Sequence, residues 1–134
     1  MRGVLGVIAG FVAAFVCVQG AEMFVHHLYP FPPGADMHDM ATIKAFVATL
    51  PLQALVLVLA GWLVGTLLGT FIAVKIGRSR IPAYVLGVLL LCGGIANSII
   101  IPQPVWFTAV SIAIFIVMPF AGIALAKPVQ SASA

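Results

Sequence analysis

Four stretches of this chain are apolar for about 20 residues or more each, over about 3–28, 50–74, 81–101 and 105–126. A helix of about 20 residues, rising 1.5 Å per residue, crosses the roughly 30 Å hydrocarbon core of a bilayer. Backbone N–H and C=O groups find no water there and must pair within their own segment, so each run is expected to be helical. Composition agrees: 63% of the 134 residues are apolar and 7% are charged. An ordinary soluble domain carries roughly 25% charged residues. That balance excludes a soluble globular protein, a disordered tail and a nucleic-acid binder. The expected fold is all-α: an integral membrane four-helix transmembrane bundle, one domain over 1–127 with a short polar tail at 128–134.

The first run begins Met1-Arg2 and superficially resembles a secretory signal. The apolar stretch continues past Val18-Gln19-Gly20 to Val25, which favours a retained helix. Orientation follows from charge. With the N-terminus in the cytoplasm, Arg2, Lys75, Arg78, Arg80 and Lys127 lie inside and only Lys44 lies outside. The positive-inside rule therefore predicts that both termini are cytoplasmic in a multi-pass inner-membrane protein.

The connections are unequal. A tight turn at Ile76-Gly77-Arg78-Ser79-Arg80 joins the second and third runs, and Pro102-Gln103-Pro104 joins the third and fourth. Short links make neighbouring helices antiparallel. The first link is longer, running from about His26 to Thr49. Its Tyr29-Pro30-Phe31-Pro32-Pro33-Gly34 segment must be extended or turned. Beyond it, Asp36 or Asp39 can cap a short amphipathic helix that presents Ile43, Phe46 and Val47. Tyr29 and Trp106 suit an aromatic belt at the outer interface.

Lipid tails are as apolar as leucine, so close packing has to drive helix association. The second run carries Gly61, Gly65 and Gly69 at intervals of four, and the first carries Gly6, Gly10 and Ala14 at the same spacing. Such a face packs either inside the bundle or between protomers, so a homo-oligomer or a membrane partner subunit stays open. Cys17 and Cys92 lie inside apolar runs and read as small packing residues, with neither disulfide nor zinc spacing.

All the acids and histidines fall between positions 22 and 39: Glu22, His26, His27, Asp36, His38 and Asp39. Carboxylates with imidazoles are a plausible ligand set for a transition metal, so His26, His27, Asp36, His38 and Asp39 are candidate metal ligands. The alternative is a hydrated outer loop whose histidines lie at the head groups. Glu22 is the more pointed case, because it lies near the outer edge of the first span, where an acid is costly and marks a functional hypothesis. Gln19, Gln53, Asn97 and Ser98 fall at comparable depth. Together with Glu22 they form a candidate pocket for an ion, a proton or a lipid-like head group. Interhelical hydrogen bonding and neutralisation of Glu22 by Lys44 are the competing readings.

The patterns Tyr29-Pro30-x-Pro32-Pro33-Gly34-x-Asp36, Leu50-Pro51, Gly61-Trp62-x2-Gly65, and Asn97 followed by Ile101-Pro102-x-Pro104-x-Trp106-Phe107 cover nearly the whole chain. In these the chain resembles a family of small four-helix bacterial inner-membrane proteins. The resemblance implies the fold and an inner-membrane location and supplies no activity. Three functions remain in view. The first is a non-enzymatic protein that binds a lipid-like ligand or a partner subunit in an outer-leaflet polar pocket. The second is a small proton- or cation-coupled transporter or channel subunit using Glu22. The third is a metal site or membrane enzyme on the periplasmic face. No nucleophile stands at readable spacing from a base, which disfavours catalysis.

Overall fold

The computed structural model describes residues 1–30, 32–34, 36, 38–101 and 103–126. It is all-helical, with α1 over Arg2–Leu28, α2 over Met40–Thr49, α3 over Leu52–Gly77, α4 over Ile81–Ile100 and α5 over Val105–Ala126. Helices α1, α3, α4 and α5 are long and apolar enough to cross a membrane. Lys127, Pro102 and the tail expected at 128–134 lie outside the described residues.

Helix ends follow local chemistry. Pro51 precedes α3 as its N-cap, so the helix starts at Leu52 rather than at residue 50. At the far end α3 runs a turn beyond the expected position 74, to Gly77. It stops where Arg78 enters the left-handed region at φ 53° and its N–H returns to the Val74 carbonyl. The turn is therefore Arg78-Ser79-Arg80, shorter than expected, with Ile76 and Gly77 inside the helix. Pro82 sits in the first turn of α4, where a missing N–H costs nothing. The chain reverses after α1 through Gly34, whose φ of 82° suits a residue without a Cβ. Asp39, not Asp36, caps the short helix: its carboxylate accepts from the Ala41 N–H at 3.1 Å and from the Thr42 hydroxyl at 3.0 Å.

The outside of the bundle is oily, and its apolar interior also admits small polar side chains. Val4, Leu5, Ile8, Phe11, Val12, Phe15 and Val16 of α1 are all exposed. Thr66, Thr70 and Ser111 are among the most buried side chains. Two of these hydroxyls bond to carbonyls of their own helices. Thr70 donates to the Thr66 carbonyl at 2.7 Å, and Ser111 donates to the Thr108 carbonyl at 2.8 Å. This distribution is what a chain solvated by lipid needs, because backbone-bonded small polar groups allow close helix approach.

Helix α3 is the hub and packs on α1, α4 and α5, whereas the backbones of α1 and α5 do not come close among the described residues. The glycines set the α1–α3 distance. A Cβ on Gly6 would lie 2.6 Å from the Ala73 carbonyl oxygen, and one on Gly69 would lie 2.6 Å from that of Gly10. Gly65 abuts Ala14 and Cys17, and Gly61 abuts Ala21. Gly6, Gly10, Gly61, Gly65 and Gly69 thus face across one antiparallel interface inside the chain. On the other flank Gly87 receives Pro119 of α5, and Gly94 receives the Phe115 ring. Helices α1 and α4 meet near their starts, at Gly3 with Pro82 and Gly10 with Leu86. Further along, a recess lies between them.

Candidate functional site: a polar junction between two recesses

At the level of Glu22 the core is aromatic. Trp62 of α3 is buried and lies 5.4 Å edge-on from Phe107 and 5.7 Å in a stacked arrangement from Phe115, both on α5. A buried indole still needs an acceptor for its N–H. Trp62 Nε1 donates to Glu22 Oε1 of α1 across 3.4 Å. That is a long bond for an N–H donor, whose usual distance is about 2.9 Å. The carboxylate makes no second hydrogen bond among the described residues, and the side-chain amide of Asn97 makes none.

Two recesses converge on this point, and Glu22, Trp62 and Asn97 line both. The first, of about 260 Å³, lies beneath α2. Ile43, Phe46 and Val47 roof it, His26 and Gln103 stand on its rim, and Leu55 and Phe107 form part of its wall. The His26 ring stacks on Phe46 with centroids 6.3 Å apart. The second recess, of about 320 Å³, lies between α1 and α4. Its walls are Phe11, Phe15, Leu89 and Leu90, with Phe115 behind.

The expected pocket is assembled only in part. Glu22 and Asn97 come together. Gln19 and Gln53 are exposed and line neither recess. They lie at the right depth, but helical phase turns them away from the junction. Ser98 is also displaced: its hydroxyl donates to the Gly94 carbonyl at 3.0 Å and to Gln103 Oε1 at 3.4 Å. Lys44 is exposed and lines neither recess. Two contributors are new, Trp62 and Gln103. Trp62 had a usable signal, since a tryptophan in mid-span requires an acceptor and the only intramembrane acid is Glu22. Gln103 had none, because its position depends on how the α4–α5 turn folds back.

The metal set does not assemble. Among the described residues no three His, Cys, Asp or Glu side chains are grouped to hold a metal ion. Asp39 is spent as the α2 cap, and Asp36 accepts from the His38 backbone N–H at 2.9 Å. His26 is stacked on Phe46, and His27 and His38 are exposed. The carboxylates serve local turns, so His26, His27, Asp36, His38 and Asp39 make no common site.

The fold and the junction together define a class: a small bundle of membrane-length helices with one polar group set between two mostly apolar recesses. No family model, no curated protein and no solved structure matches the chain.

Proposed function

We propose that the protein is a non-enzymatic, multi-pass inner-membrane protein that binds an amphiphilic, lipid-like ligand at the Glu22–Trp62–Asn97 junction. The single observation that carries this reading is the junction itself, where incompletely bonded polar groups stand between two recesses with apolar walls. Ligand sites commonly combine a largely apolar wall with a few convergent polar groups. Arg2, Lys75, Arg78 and Arg80 cluster at the opposite end from Glu22, Asp36 and Asp39. This charge distribution supports cytoplasmic termini and a ligand in the outer leaflet. The transporter alternative lacks a polar path. Between Glu22 and the basic end, α1 offers no acidic or basic side chain before Arg2, and the hydroxyl of Thr70 is committed to its own helix.

Native mass spectrometry of untagged protein released from nanodiscs tests the reading. The expected result is a retained amphiphile whose occupancy falls at least tenfold in Glu22→Gln or Asn97→Ala. A bare chain, or bulk phospholipid retained equally by all three proteins, overturns it.

A further inference from the structure

We infer that the ligand of this junction is a long-chain amine, its ammonium head held by Glu22 and its hydrocarbon tail lying in the recess between α1 and α4. The inference rests on the proposed amphiphile site and specifies its chemistry.

The tail position follows from the walls. Below the junction the second recess is bounded by Phe11, Phe15, Leu89 and Leu90, with no ionisable group among the described residues except Glu22 at its top. It is open to the side. Phe11, Phe15 and Leu89 are each about half exposed, and a Cβ on Gly93 would meet nothing within 4 Å. A chain dissolved in the bilayer can therefore enter laterally, without passing through water.

The head chemistry follows from charge. Among the described residues neither recess is lined by a lysine or an arginine, and His26 is the only basic side chain at either. A phospholipid carries its phosphate between tail and terminal group. With its tail in the second recess, that phosphate would fall beside the Glu22 carboxylate. Two like charges at such a range repel, and the repulsion strengthens away from water. A fatty acid meets the same objection. A primary ammonium reverses the sign and offers three donors with no acceptor. The junction supplies matching acceptors: the carboxylate of Glu22, bonded only once and weakly, the free amide oxygen of Asn97, and the amide oxygen of Gln103 on the rim. Such charge-assisted bonds are about twice as strong as neutral ones.

The test uses full-length protein carrying Trp106→Phe, so that Trp62 is the sole tryptophan. It is titrated in nanodiscs with three probes sharing one tail, brominated to quench indole fluorescence on contact: a primary alkylamine, the matched alcohol and the matched carboxylic acid. The expected result is saturable quenching by the amine, at least tenfold tighter than by the acid. Glu22→Gln should weaken the amine about tenfold and leave the alcohol within twofold. Equal affinities for amine and acid in the protein that retains Glu22 overturn the head-group inference even where the variant fails to fold, and leave the amphiphile site standing. Absence of saturable quenching by all three probes overturns the site itself.

Discussion

The indole of Trp62 on α3 and the carboxylate of Glu22 on α1 meet across 3.4 Å, forty residues apart in the chain. This contact ties the helix that forms the hub of the bundle to the one long helix whose backbone stays away from α5 among the described residues. It also explains how an acid is tolerated at this depth, because the only buried indole in the structure points its donor at it.

Trp62→Phe separates that hydrogen bond from ring packing. Phe keeps most of the contact with Phe107 and Phe115 and loses the N–H. A net hydrogen bond contributes about 1 kcal/mol, and less in a membrane bundle. Trp62→Ala, which also empties the core, should cost about 3–5 kcal/mol. Reversible unfolding in detergent measures both. Equal losses for the two variants would mean that the indole acts through its N–H alone and that the aromatic cluster contributes nothing.

The α1–α3 interface makes an opposite-sign prediction for glycines. Gly69→Ala places a methyl against the Gly10 carbonyl and should destabilise by about 1–3 kcal/mol through overpacking. Gly20→Ala meets nothing within 4 Å and should stabilise by about 0.5–1 kcal/mol through helix propensity. Thermal melts of the two variants decide it. If both shift the melting temperature the same way, the helices do not approach along this face.

Asp39→Ala removes the α2 cap. Loss of such a cap costs about 0.5–2 kcal/mol of helix stability. Helix α2 has no fully buried residue and its backbone touches no other helix, so the loss should remain local. Amide exchange at Ala41, Thr42 and Ile43 should quicken severalfold while exchange in α3 is unchanged. A matching fall in global stability would show that α2 is an integral part of the core.

The two ends of the bundle should face opposite compartments. In a background with Cys17→Ala and Cys92→Ala, Ser79→Cys lies in the α3–α4 turn and His38→Cys lies just before α2. An impermeant maleimide added to intact cells should label the second and not the first, with the reverse in inverted vesicles. Labelling of both from one side would refute the four-span arrangement.

Much of this molecule could be read without coordinates, because one-dimensional physics governs it. Run length and apolarity determined four membrane-length helices to within a few residues, since a lipid solvent leaves the backbone no alternative. Proline and glycine marked the turns, and Asp36 or Asp39 ahead of Ile43, Phe46 and Val47 marked a capped amphipathic helix, with the choice of Asp39 made by the structure. The sequence also singled out Glu22 and Asn97, because polar groups at that depth are costly wherever they point. Rotation of each helix about its axis is what sequence depth could not supply. That phase, locked by Gly10 against Gly69 and by Gly94 against Phe115, decided that Trp62 joins Glu22 and that Gln19 and Gln53 turn away, whereas Gln103 is brought in by the α4–α5 turn and the loop acids are engaged by local turns and a cap. Phase is a property of packed pairs, and it exists only once the helices touch.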